Sequence, residues 1–264
     1  MFTAEDIISP DSFLSLDTGN DDIAYIKTDA LKYNNNVKWR GQVHYPRVAK
    51  IWVTGHSDYE ISYDIFNKYN EFCSHWFATN KNVLNPKIHS IPLGICADCD
   101  DSSVHPILGN KEQMIEVMKL PKRSKTLAYM NFRVENYPAE RQQVYELFKD
   151  TPWTKTDECV HTTDMRRNYL QEIRDSKFVF CPRGNGIDTH RMWEALYLGS
   201  IPIVKKYVAF HEFTDLPILF IDDWSDINET FLNQEYERIT NINTWNMDKL
   251  KFGYWANLIN NIDT

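Results

Sequence analysis

The stretch FVFCPRGNGIDTHRMWEAL, residues 178–196, begins as an apolar run and ends as an amphipathic one. Phe178–Cys181 is short, continuous and apolar, the pattern of a strand buried on both faces. Pro182 cannot donate to a ladder and ends it. Gly184 and Gly186 are expected to let the backbone turn tightly or take positive φ. Asp188 or Thr189 is placed to cap the helix that follows. On that helix Met192, Trp193, Ala195 and Leu196 share one arc, and His190, Arg191 and Glu194 share the opposite one. Gly199 stands where a helix C-terminus favours glycine. Ligands of open α/β sheets bind at the carboxyl ends of strands, and a helix N-terminus beside arginine suits a phosphate. The stretch therefore predicts a strand, an anion-binding loop and a helix. The alternative is an ordinary crossover, with Arg191 and Glu194 as a surface i,i+3 pair.

Outward from this unit, strand-length apolar runs alternate with helical patterns. IAYIKT (23–28), KIWVTG (50–55), HWFAT (75–79) and HSIPLG (89–94) are expected strands of a first half. TLAYMNF (126–132), FVFC (178–181), IPIV (201–204) and ILFID (218–222) are those of a second. Helices are expected over 139–149, 164–175, 189–198 and 245–260, the last with Met247, Leu250, Tyr254 and Leu258 as its apolar stripe. Such alternation predicts an α/β protein, and KLPKRSKT (119–126) reads as a linker. The expected organisation is two α/β domains with a cleft between them, over 1–120 and 121–264, with the C-terminal helix packing back on the first.

Bulk properties exclude several classes. A net charge of −8 argues against a nucleic-acid-binding face, which needs clustered Lys and Arg. No apolar run approaches the 18 or so residues of a membrane span, and the opening MFTAEDIISPDSF has no signal-peptide pattern. Five cysteines without such a signal read as free thiols in a reducing compartment, so a cytoplasmic chain is expected.

In the first half, KIWVTGHSDYE ends a strand at Gly55 and then presents His56, Ser57 and Asp58 at the sheet's carboxyl edge. Asp58 or His56 is the candidate general base, with Asp29 behind them; the alternative is a loop that merely caps the next helix.

FCPRGNGIDTHRMWEALYLGSIPIV (180–204) resembles the C-terminal signature of exostosin-like glycosyltransferases of family 47: a strand, a C-P-R-G loop, an R-x-x-E-A-L helix and G-x-I-P-V/I. LPILFIDDWSDI (216–227) is similar to the strand and Asp-Trp that follow in that family, and NFRVENYPAERQQVYELF (131–148) and IPLG (91–94) are weaker likenesses. The resemblance implies two Rossmann-like domains facing across a cleft (the GT-B type), 1–120 on the acceptor side and 121–264 binding the nucleotide-sugar, with an inverting transfer from a UDP-sugar and no required metal. It implies that Arg183 approaches the diphosphate and Glu194 takes the ribose hydroxyls. Arg191 falls on the signature arginine, and Asn185, Gly186, Asp188 and His190 line the nucleotide pocket. Asn131, Arg133 and Arg141 are further candidates for the diphosphate. The acceptor implied is an oligosaccharide or glycoprotein glycan. UDP-xylose is the first donor expected, since exostosin-like enzymes include xylosyltransferases. With no anchor or stem in sight, the chain looks like the compact members of bacteria and large viruses, which for a virus-encoded chain means action in the host cytoplasm.

CADCDD (96–101) holds one C-x-x-C and, in Asp98 and Asp100, a D-x-D that could hold a divalent metal under a diphosphate as in a GT-A-like transferase; a solvated acidic loop is the plainer reading. NET (228–230) matches a glycosylation sequon, and Trp193, Trp224 and Trp245 are expected in the core. A non-catalytic nucleotide- or glycan-binding module is the other class compatible with these residues.

Overall fold

The computed structural model describes residues 2–17, 19–97, 105–160 and 162–262. In the first half, α1 (Pro10–Leu14) precedes β1 (Ile23–Lys27), α2 (Thr28–Tyr33), a hairpin of β2 (Val37–Trp39) and β3 (Gln42–His44), β4 (Ile51–Gly55), α3 (Tyr63–Tyr69), β5 (His75–Ala78) and β6 (Ile88–Ser90). Then come α4 (His105–Leu108), α5 (Lys111–Met118), β7 (Thr126–Met130), α6 (Pro138–Phe148), β8 (Thr154–Thr156), α7 (Thr163–Arg174) and β9 (Ser176–Phe180). The chain ends with α8 (His190–Tyr197), β10 (Ile201–Lys205), β11 (Leu219–Ile221), α9 (Glu229–Thr240) and α10 (Phe252–Asn260).

The first sheet runs β1-β4-β5-β6 and the second β11-β10-β9-β7-β8, every pairing in both being parallel. Counted from β7, the second order is 2-1-3-4-5, so the crossover direction reverses between β7 and β9. The crevice outside the carboxyl ends of two such strands is where doubly wound sheets hold ligands. Each central strand is apolar on both faces because each face is covered. In β4, Val53 joins the core that reaches the second half, while Trp52 joins a separate core beneath α3. These are two Rossmann-like α/β units facing across a cleft, the GT-B architecture.

The helix after β9 forms for the reasons its sequence gives. Met192, Trp193, Ala195 and Leu196 are buried, and Gly199 takes φ 73°. The Gly199 N–H donates to Leu196 C=O at 3.1 Å and the Ser200 N–H to Ala195 C=O at 2.8 Å, the paired bonds of a Schellman end. Its start differs from expectation. Thr189 is the N-cap residue but makes no side-chain capping bond, and the Asp188 carboxylate turns away to other partners.

The expected helix over 245–260 is broken. A short 3-10 turn covers Met247–Leu250, Lys251 is extended where it bridges to Ile7, and the helix proper starts at Phe252. Its buried residues are Trp255 and Ile259, whereas Met247 and Leu258 are on the outside, because the break rotates the stripe. The Phe252 N–H donates to Asp6 C=O at 2.9 Å, and the Phe13 and Phe252 rings meet edge to face. The strand expected over 89–94 stops at Ser90. Helices α1–α5 and α9 have no counterpart in the expected set; α9 buries only Leu232 and Ile239. The sequon asparagine, Asn228, is that helix's cap, accepting from the Phe231 N–H at 2.9 Å. In the basic linker, Lys122 is an anchor. Its ammonium bonds Arg174 C=O, Ser176 C=O and Ser200 Oγ at 2.7–2.8 Å.

Tyr197 on α8 joins both chain ends, accepting from the Ile8 N–H at 2.9 Å and donating to Leu250 C=O at 2.8 Å. Tyr197→Phe strands both buried groups and should cost about 1–3 kcal/mol in urea unfolding, the penalty for a buried unpaired polar group.

Candidate active site

Loops from the carboxyl ends of both sheets enclose one cleft of about 450 Å³. The first sheet supplies Asp58 after β4 and Leu93 after β6. The second supplies Asn131 and Arg133 after β7 and Gly184–Gly186 after β9, with Arg141 from α6, and His190, Arg191 and Glu194 from α8. The polar arc of α8 thus faces the cleft, as its sequence predicts. The switch point between β7 and β9 is the floor.

Arginine dominates the wall that the second sheet supplies. Arg141 is buried, with Nε donating to Arg183 C=O and Nη1 to Arg133 C=O, each at 2.8 Å. Burial, and the charge of Arg191 beside it, push its guanidinium down to about 10. Arg141 and Arg191 both stand over the Phe132 ring, at 5.5 and 5.8 Å. Two positive charges beside one ring, both lining the cleft, attract an anion to it. Arg183 takes a different place. Its guanidinium lies 4.4 Å from the Tyr137 ring and faces Tyr207 at 5.8 Å, and it does not line the cleft. Its backbone contributes instead, through the carbonyl that fixes Arg141.

Neither loop glycine has positive φ, so the expected backbone freedom is not their reason. A Cβ on Gly184 would stand 2.9 Å from Arg141 Nη2, and one on Gly186 would stand 2.9 Å from Asn80 Nδ2. Both are glycine because other side chains come close.

Glu194 is bound before any ligand arrives. Arg166 pairs with its Oε1 at 2.7 Å and the Tyr169 hydroxyl donates to Oε2 at 2.5 Å. Burial would raise this carboxyl, but Arg166 and Tyr169 outweigh it and hold it below its ordinary value, so it is ionised. The surface pair of Arg191 with Glu194 is not formed. Arg166 was missed in the sequence, though a signal exists. It begins an i, i+3, i+4, i+7 stripe with Tyr169, Leu170 and Ile173, and all four are buried. An arginine on an apolar stripe marks a buried ion pair.

Asp188 also lines the cleft but its carboxylate is engaged, accepting from the Leu93 N–H and from Trp193 Nε1, each at 2.9 Å. Burial pushes it up to about 7, against the pull of these donors. His190 Nδ1 lies 2.8 Å from Gly94 C=O, so Nδ1 carries the proton and Nε2 keeps a lone pair. Burial holds this imidazole below its ordinary value, hence neutral near pH 7. Asn131 donates to Glu158 C=O at 2.7 Å, while Asn185 and Arg133 are exposed on the rim.

On the first sheet Asp58 faces the cleft from its exposed position, and the loop is not a helix cap, since Ser62 caps α3. His56 does not line the cleft. Its ring packs against Trp39, centroids 3.9 Å apart, at φ 53°. Asp29 is paired with Lys27 at 2.6 Å and is also outside. Asp98 and Asp100, with Cys99, lie outside the described residues. Among the described residues no three His, Cys, Asp or Glu side chains are placed to hold a metal ion, and no helix is long and apolar enough to cross a membrane. Trp193 and Trp224 are fully buried, as expected.

Two Rossmann-like units with an arginine-walled cleft at the switch point make a site suited to an anionic ligand. The family model of the exostosin GT47 domain matches residues 51–227, more than half of the chain, and the chain belongs to that glycosyltransferase family. No curated protein matches it. Among solved structures it is similar to an α1,3-fucosyltransferase with GDP-fucose, at 12% identity and TM-score 0.45, over 84% of this chain and 81% of that one. It is also similar to an α1,3-fucosyltransferase at 11% and 0.41, over 94% and 93%. A third is the UDP-GlcNAc 2-epimerase of Methanocaldococcus jannaschii at 10% and 0.38, over 94% and 79%.

Two outcomes follow from the buried charges. Arg166→Ala leaves the Glu194 carboxylate buried with one neutral partner and should cost about 3–5 kcal/mol in denaturant unfolding. For Asp188 the folded state holds its proton more tightly than the unfolded state, so its contribution is present below about pH 4 and lost as pH rises towards 7. Urea unfolding of wild type relative to Asp188→Asn should therefore lose about 2 kcal/mol between pH 5 and 8; a flat difference would show that Asp188 is ionised throughout.

Proposed function

We propose that the protein is an inverting glycosyltransferase that moves a sugar from a UDP-sugar, xylose first, to a hydroxyl of a glycan. The observation that carries this is the meeting of Arg133, Arg141 and Arg191 with Asp58 across one cleft. The first unit (residues 1–120) is the acceptor side and the second (121–264) the donor side. Arg141 and Arg191 take the diphosphate near the β9–α8 turn, where helix N–H groups add to the attraction. Buried guanidinium N–H groups without a protein partner, Nε of Arg166 and Nε of Arg191, favour an anionic ligand. Glu194, already ionised and oriented, accepts from the ribose hydroxyls. Asn131, Asn185 and Gly186 line the nucleotide, and His190 Nε2 accepts from a donor hydroxyl.

In the transfer, the acceptor oxygen attacks the anomeric carbon as the bond from that carbon to the β-phosphate oxygen breaks. The bonding pair leaves on UDP, where the arginines stabilise it as it develops. The attack comes from the face opposite the departing UDP, which gives inversion, and the acceptor's proton goes to the Asp58 carboxylate. No divalent metal is required, since the arginines supply the positive charge.

Thermal melting with UDP, GDP, CMP and a panel of UDP-sugars tests the donor. A ligand at 100 times its Kd adds about 2.7 kcal/mol, a shift of roughly 5–10 °C at ~2–4 °C per kcal/mol. A shift with UDP and one UDP-sugar is expected; no shift with any nucleotide defeats the proposal. Asp58→Asn should lower transfer by about 10²–10⁴ while sparing UDP binding, and His56→Ala should not. Transfer should persist in EDTA; its loss would move the reaction to a metal, with Asp98 and Asp100 the first residues to substitute.

A further inference from the structure

We propose that Asn80 is a positioning residue that ties the donor loop to the Ser57–Asp58 loop, so that an anion seated on residues 184–191 governs where Asp58 stands; this rests on the nucleotide-sugar reading above. Asn80 follows the end of β5, is 3% exposed and does not line the cleft. Its backbone is held by the frame of the first sheet. Its carbonyl accepts from the Ile61 N–H at 3.1 Å, and the preceding Thr79 N–H donates to Thr54 C=O at 3.0 Å.

From that fixed stand the side-chain amide reaches two loops at once. Nδ2 donates to Ser57 C=O at 3.0 Å, next to Asp58. Oδ1 accepts from the Asp188 N–H at 2.8 Å, in the donor loop 108 residues away. Gly186 makes room for it, since a Cβ there would stand 2.9 Å from Nδ2 and 3.1 Å from Oδ1. Asn80 sits at φ 54°, a left-handed conformation that asparagine tolerates and branched residues do not. Aspartate could accept from Asp188 but offers Ser57 no donor. Asparagine meets all three demands: the backbone, the donor and the acceptor.

Leu93 and Gly94 also bond the donor loop, through Asp188 and His190, but neither has a bond to the Asp58 loop. Asn80 does, and so it links the side that holds the leaving group to the side that takes the proton.

Hydrogen exchange with UDP as the probe tests the link without turnover. In wild type, UDP should slow exchange of amides in both 184–191 and 57–59. Asn80→Gly keeps the φ and removes the amide; it should retain UDP protection at 184–191 and lose it at 57–59. Acceptor-dependent transfer should then fall about tenfold, the net worth of one hydrogen bond, with the affinity for UDP unchanged. Asn80→Asp should behave likewise. UDP protecting both loops in Asn80→Gly as in wild type would overturn the inference, as would a loss of UDP affinity as large as the loss of transfer. Wild type with no protection at 184–191 defeats the nucleotide reading instead. In that event ligand-free exchange still decides, because 57–59 must open faster in Asn80→Gly, and equal rates overturn the link.

Discussion

The Asp188 carboxyl is buried where the two units meet, and removing it from water is costly unless its oxygens are bonded. Leu93 on one side and Trp193 on the other meet that requirement. The first draws the loop after β6 of the first sheet onto the loop between β9 and α8. The second pins that loop to the helix it opens into. The position of every cleft residue on α8 depends on this junction, because the helix starts two residues later. His190 adds a second bond across the same seam, to Gly94, whose φ of 70° and closeness to the Ile8 carbonyl admit no side chain.

Around the junction the cleft is a balance of charge in a molecule that is acidic overall, with net charge −8. Arg166 is neutralised by Glu194 and fixes it. Arg141 is surrounded by carbonyl oxygens and has no carboxylate partner among its hydrogen bonds. An arginine whose charge is met by dipoles alone keeps its attraction for an anion. The acidic surface and the basic cleft thus coexist without conflict, since salt screens distant surface charge more than it screens a charge in a partly enclosed cleft.

The loop glycines show how the same residue is read differently in one dimension and in three. A G-x-G after a strand suggests special dihedrals or close approach of a ligand. Here both have ordinary dihedrals, and what approaches is protein: the Arg141 guanidinium and the Asn80 amide. The loop is a surface on which second-layer side chains rest, and its glycines set their distance.

The sequence by itself determined the strands β4, β9 and β10, the helix after β9 and its glycine end, and the polar arc of that helix, because each is set by neighbours within a turn or by apolar runs. The family signature lay in that same segment, so the class of protein was legible too. Cleft residues from short range were also legible: Arg191, Glu194, His190, Arg141 and Asp58 all line it. Tertiary structure alone decided the rest. His56 packs on Trp39, and Arg183 stacks on Tyr137. Glu194 finds Arg166 and Tyr169 on another helix, and Asn80 meets Asp188 across more than a hundred residues. Side-chain partners of this kind depend on how two sheets dock. Docking is fixed by the summed fit of buried surfaces, which no local pattern records.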